Sequence, residues 1–270
     1  MRKSFSVLFL SSIIAFIFGC SPKEEPSSGG SNRFQIAVIP KSESHIFWKT
    51  CQAGALKAAQ EFDVDVTWKG PDIGDDRNAQ IQTIQRFVVK GVDAIAIAPV
   101  DGDVLTKPVE KAAQTGIKMI VFDSGLKRHD QVESFVATDN YKGGVLCAHK
   151  LAELLEGKGK VIMLRVMEGG MSTTKRETGF LTTIQKIAPE IELISTSEYG
   201  GASVGSAQKK AQLLLNKYAD QVDGIFTPNE NTTEGMLLAL QQQGLAGKVK
   251  FVGFDANQPL IDGMRQNILH

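Results

Sequence analysis

The 270-residue chain is 42% hydrophobic and carries 30 Lys+Arg against 30 Asp+Glu, a net charge of zero. That length holds one large or two moderate domains with real cores, and the balanced charge leaves no electrostatic footprint for nucleic acid. The three cysteines, at 20, 51 and 147, form neither a C-x-x-C redox pair nor a zinc set.

The chain opens with Arg2 and Lys3, then an apolar run over residues 5–18 that ends Ile17-Phe18-Gly19-Cys20. The run is short for a spanning helix and has the flanks of a signal peptide. Its ending resembles a bacterial lipobox, which implies lipidation at Cys20. An uncleaved N-terminal anchor is the alternative. Either places the rest of the chain outside the cytoplasm. Ser21 comes directly after the cysteine, and by the rule for Gram-negative lipoproteins the absence of Asp there favours the outer membrane. Residues 21–33 (SPKEEPSSGGSNR) are rich in Ser, Gly and Pro and read as a flexible tether.

From residue 34 short apolar runs alternate with stretches of helical spacing. Strands are expected at 34–39, 64–68, 94–98, 117–122 and 133–137, with helices at 47–62, from Asp75 or Asp76 to Lys90, and at 104–115. Gly91 stands where a helix C-cap belongs. The pattern restarts at Tyr141, with helices over 141–156, 174–187, 204–218, 232–243 and 259–266. Strands are expected at 160–166, 192–196, 223–227 and 248–253. This alternation implies an α/β fold with doubly wound parallel sheets. Cys51 and Cys147 fall on apolar helix faces in different lobes. Buried free thiols fit that placement better than a disulfide. His129 and His149 read as surface residues.

Two units repeat one grammar. Ala98-Pro99-Val100-Asp101 and Val121-Phe122-Asp123-Ser124 in the first half match Thr227-Pro228-Asn229-Glu230 and Gly253-Phe254-Asp255 in the second. Carboxylates just past strand ends lie at the edge where open α/β sheets bind ligands. Two lobes facing one cleft are the expectation.

In order and spacing, Ile39–Trp48, the two turns just quoted, Thr138-Asp139-Asn140, Arg176–Phe180, Pro228–Glu230 and Val252–Asp255 resemble the periplasmic sugar-binding proteins of the ribose-binding type. These are receptors of ABC importers. The resemblance spans almost all of the chain beyond residue 34. It implies an N-terminal lobe over 34–137 and a C-terminal lobe over 138–270, closing on a monosaccharide or similar small polyol. It implies docking on a membrane ABC permease, and a monomer without cofactor or metal, held to the membrane only through a lipid anchor. Members of the family cross back to the first lobe beyond the point matching His270, so the chain resembles one truncated at its C-terminus.

By the same resemblance Phe47 and Trp48 are stacking aromatics. Asp123, Asn229 and Asp255 accept sugar hydroxyls, and Arg176 is the cleft arginine. Lys41, His45 and Ser124 stand at cleft positions where relatives carry other groups. The chemistry is apt: a sugar needs flat apolar plates and charged or amide groups that each hold two hydroxyls through desolvation. Each residue also has a plain structural reading. The aromatics can start a helix, Asp123 and Asp255 can close turns, Asn229 can cap a helix, and Arg176 can lie in solvent. Gly169, Gly170 and Ser172 can approach a ligand through backbone or form an ordinary loop.

Two other functions stay in view. A sensory module for a chemoreceptor or histidine kinase would share the cleft. A serine hydrolase would use Ser203 in Gly201-Ala202-Ser203-Val204-Gly205 with Asp255 and His270, but that serine falls beyond the expected strand and off a strand–helix elbow.

Overall fold

A computed structural model describes residues 33–270. The expected leader, Cys20 and most of the tether lie outside the described residues. Among the described residues no helix is long and apolar enough to cross a membrane.

The first lobe is built from β1 (Gln35–Ile39), α1 (Ile46–Glu61), β2 (Asp65–Trp68), α2 (Arg77–Lys90), β3 (Ala94–Ile97), α3 (Thr106–Gln114), β4 (Lys118–Phe122) and β5 (Ser134–Val136). Its five strands are all parallel, in the order β2-β1-β3-β4-β5. The second lobe runs α4 (Asn140–Leu154), β6 (Lys158–Arg165), α5 (Met171–Ile187), β7 (Glu190–Tyr199), α6 (Val204–Tyr218), β8 (Gly224–Phe226), α7 (Glu230–Gln242), β9 (Lys250–Val252) and α8 (Gln258–Arg265). Its four strands are also parallel, in the order β7-β6-β8-β9.

Parallel strands are buried on both faces, which is why these segments read as continuous Val, Ile and Ala runs. On one face of the first sheet Ala37, Ile39, Ile95, Ile97 and Val121 pack with Ile84 and Phe87 of α2 and Val109 of α3. The second sheet is covered on both sides. Ile162, Leu164 and Phe251 meet α6, α7 and α8, while Val161, Met163 and Phe226 meet α4 and α5. Coverage by α1 is thinner than its helical spacing implied. Only Trp48 and Ala59 of that helix are buried, and Phe62, its C-cap, is exposed.

Local signals explain the ends. Asp76 caps α2, accepting from Ala79 N at 2.8 Å, and Gly91 closes it at φ +70°, a conformation that costs a β-carbon-bearing residue energy. Asp139 caps α4, Ser203 caps α6 and Asn257 caps α8. In each sheet the order of connection reverses beside the first strand, between β1 and β3 and between β6 and β8. The C-terminal mouth of such a reversal leaves a crevice for ligand.

One surface assignment needs correction. His129 packs its ring on Phe135 at 4.8 Å, accepts from Leu126 N at Nε2, and buries Nδ1 without a partner. The loop folds the imidazole against β5. His149 is exposed.

Candidate functional site

The two mouths face each other across one cavity. The cavity measures about 90 Å³, room for several waters or one small sugar. Lys41, His45, Phe47, Trp48 and Asp123 line it from the first lobe; Arg176, Asn229 and Asp255 line it from the second. Of the nine residues singled out in the sequence, Ser124 alone is not in the wall. It is fully buried, and its Oγ accepts from Ser172 N across the gap at 3.2 Å.

The twin aspartates share an unusual backbone. Asp123 has φ +61° and Asp255 φ +72°, in the left-handed region that few non-glycine residues occupy and that clusters at functional sites. Each follows a strand and a Phe. Asp123 Oδ2 receives Lys41 Nζ at 2.8 Å, with both side chains about five-sixths buried. Asp255 Oδ2 accepts from Glu230 N at 2.8 Å and lies 3.9 Å from Arg176 Nη1.

Arg176 is buried rather than solvated. Its Nε donates to Asn140 Oδ1 and its Nη1 to Pro228 O, both at 2.8 Å, and its plane lies 3.7 Å from the centroid of Phe254. Burial lowers its pKa below the ordinary value, and Asp255 and Asp123 oppose that shift. Arginine remains a cation under such displacement. Its position depends on two glycines. A β-carbon on Gly144 of α4 would collide with the Arg176 carbonyl, and one on Gly179 of α5 with the Tyr141 carbonyl. Both obstacles are backbone, so the two helices cross at a distance only glycine permits.

The aromatic pair forms an angled wall. Phe47 meets Trp48 edge to face at 4.9 Å, and Trp48 meets Phe122 at 6.1 Å. Asn229 also serves as the N-cap of α7: its Oδ1 accepts from Thr232 N at 3.1 Å. The capping and cavity-lining readings coexist, since the amide nitrogen is not needed for the cap.

Sequence reasoning missed Glu230 and Asn231, on the first turn of α7, and Thr173, at the start of α5; all line the cavity. Ser172, left open between ligand approach and ordinary loop, lines it too. Phe47 N donates to His45 Nδ1 at 3.1 Å, so the ring proton is on Nε2, which meets Asn231 Oδ1 at 2.6 Å. Glu230 Oε1 lies 3.6 Å from the same nitrogen. Burial raises the Glu230 carboxyl above its usual range, against the pull of His45 and a hydrogen bond from Asn257. Lys41 Nζ also donates to Ser172 Oγ at 3.1 Å. Lys41, His45 and Ser124 therefore each bond to the opposite lobe.

Ser203 is not arranged as a nucleophile. Its Oγ bonds Ser206 Oγ at 2.9 Å and receives Ser206 N at 3.1 Å, in a capping box at the start of α6. Among the described residues no group of three His, Cys, Asp or Glu could hold a metal ion.

Residues 36–270 match the model of the periplasmic binding protein domain. The chain belongs to this family. It is 25% identical to the ribose import binding protein of Bacillus subtilis over 275 aligned positions, covering 100% of this chain and 86% of that one. The crystal structure of a periplasmic component of an ABC-type sugar transport system from Hahella chejuensis superposes with a TM-score of 0.82 at 33% identity. That match covers 87% of this chain and 85% of the other. A carbohydrate transporter solute-binding protein from Agrobacterium radiobacter, in complex with D-arabinose, gives a TM-score of 0.84 at 27% identity over 88% and 81%. The family is that of sugar-binding periplasmic components of ABC transporters: binding proteins, not enzymes, working outside the cytoplasm.

Proposed function

We propose that this chain is a lipid-anchored receptor that delivers a monosaccharide or similar small polyol to an ABC permease. The observation that carries the reading is the convergence of Asp123, Arg176, Asn229, Asp255 and Trp48 from both lobes on one sugar-sized cavity. The cavity has the parts a sugar needs. Trp48 and Phe47 supply apolar surface for a ring face. Three carboxylates (Asp123, Glu230 and Asp255), two amides (Asn229 and Asn231) and the Arg176 guanidinium supply hydrogen bonds, many of them charge-assisted, that compensate hydroxyls for lost water. Lys41 is paired with Asp123 and Arg176 lies near Asp255, so neutral hydroxyls fit better than a ligand of high charge.

The lobes divide at residues 137 and 138, and their closing over ligand shapes the surface that a permease reads. Neighbouring structures hold D-arabinose, D-fucose and D-allose, which supports an aldose or a close relative as ligand. The lipobox-like ending at Cys20 supports anchoring of a monomer at the membrane surface, the outer membrane in a Gram-negative cell. Calorimetric titration of the full chain with D-ribose, D-allose, D-arabinose, D-xylose, D-fucose and D-tagatose tests the reading. Saturable one-to-one binding without turnover is expected for at least one sugar; no heat from any of the six would defeat it.

A further inference from the structure

The lobes also meet outside the cavity, along one rim. Gly102 N, at the start of the α3 loop, donates to Gly169 O of the second lobe at 3.0 Å. Neither glycine tolerates a side chain. A β-carbon on Gly102 would strike Met171, and one on Gly169, which has φ +86°, would strike the Asp101 carboxylate. The two loops thus touch backbone to backbone.

Arg77 spans this seam. Its Nε donates to Asp101 Oδ2 at 2.7 Å within its own lobe, and its Nη2 donates to the Glu168 carbonyl at 3.0 Å in the other. Asp101 is a fixed anchor. It is buried, and its Oδ1 accepts from Asp103 N and Val104 N, each at 3.0 Å. Burial alone would raise its pKa, but these bonds and Arg77 hold it below the ordinary carboxylate value. Arg77 is the first residue of α2. A cation there opposes the helix dipole, so helix stability does not account for it. It is absent from the cavity wall, yet the segment it grips supplies Val166, Met167 and Gly170 to that wall.

We propose that Arg77 is a positioning residue that fastens the closed lobes at this rim and so sets how long a bound sugar stays, without touching it. The proposal rests on the two-lobe binding reading above. Opening the cleft breaks the Arg77–Glu168 bond and frees the loop behind it. Losing one charge-assisted hydrogen bond from the closed state shifts the open–closed balance by about tenfold. Because Arg77 meets no ligand atom, every sugar should be affected alike.

The test uses the full chain as Arg77→Met and Arg77→Lys. Arg86→Met is the control, since Arg86 donates to Thr83 of its own helix. Stopped-flow release is measured for two sugars that bind, such as D-ribose and D-arabinose, and X-ray scattering is recorded without sugar. Arg77→Met is expected to release both sugars about tenfold faster, keep their affinity ratio, and show a larger radius of gyration. Arg77→Lys should fall between, because an ammonium cannot span both acceptors as the guanidinium fork does. Release rates and scattering that both match the control overturn the proposal, as does a changed ratio between the two sugars. If no sugar binds wild type, the functional reading fails, and scattering alone then decides the latch.

Discussion

Replacing Arg176 by lysine keeps the charge and removes the fork. In the folded protein Arg176 Nε and Nη1 are committed to Asn140 and Pro228, and Nη2 has no protein hydrogen-bond partner among the described residues. Under the proposed function that nitrogen is the donor left for a sugar hydroxyl. A lysine ammonium reaches one of the two acceptors at most and cannot lie flat on Phe254. Each charge-assisted bond contributes about 1.5–3 kcal/mol, and a desolvated cation–π contact about 2 kcal/mol. Arg176→Lys is therefore expected to destabilise the protein by about 3 kcal/mol, read from urea unfolding. It also misplaces the ligand-facing donor. A lost charged contact in a closed cleft costs about 1.5–3 kcal/mol, roughly a 10- to 10²-fold rise in Kd. Calorimetry against whichever sugar binds wild type reads this directly, with circular dichroism confirming that the variant is folded. A folded Arg176→Lys that binds within threefold of wild type would show that Arg176 merely braces α4 against the second sheet, and the site assignment would fail with it.

Particular residues set three further outcomes. Glu230 has its pKa raised in the folded state, chiefly by burial. The native state then holds a proton that the unfolded chain has released, and stability falls as pH rises through that interval. Glu230→Gln should raise Tm at pH 7.5 by on the order of 2 °C more than it does at pH 4.5; an equal change at both values removes the electrostatic cause. Gly144→Ala should cost about 2 kcal/mol or more in urea unfolding, because the added methyl meets the Arg176 carbonyl and backbone cannot give way cheaply. Cys147 has its thiol pKa pushed up to about 11 by burial. At pH 8 a thiol reagent should label it only after denaturation, while Cys51, half-buried and with its own pKa raised by burial and by Asp123, is labelled slowly in the native protein; mass spectrometry of the labelled peptides separates the two.

Much of this arrangement is legible in the sequence because strand-end chemistry is local. Phe122-Asp123 and Phe254-Asp255 look alike as sequence, and their folded twins share the same left-handed backbone. Asp76 and Gly91 announce both ends of α2. The residues that escape are set by helix starts. A cap at Asn229 puts Glu230 and Asn231 on the first turn, at the mouth of the sheet. Beginning α7 at that cap, and not at residue 232, finds both. No such signal exists for α5. Its N-cap, Gly170, makes no side-chain cap bond, so nothing local marks the position of Thr173.

The contacts between lobes are out of reach for a different reason. Ser124 bonds a residue 48 positions away, Lys41 one 131 away and His45 one 186 away. These pairings arise from how two sheets face each other, not from any spacing along the chain. Lys41 and His45 line the cavity and bond the opposite lobe, so each ties the cavity wall to the other lobe, whereas Ser124 bonds that lobe from behind the wall. A change at Lys41 or His45 is expected to move affinity through both cavity shape and closure, and a change at Arg77 through closure alone. Comparing the affinity ratio between two sugars in Lys41→Met with that in Arg77→Met separates the routes. The ratio should shift in the first and hold in the second, because Lys41 borders the proposed sugar cavity and Arg77 does not.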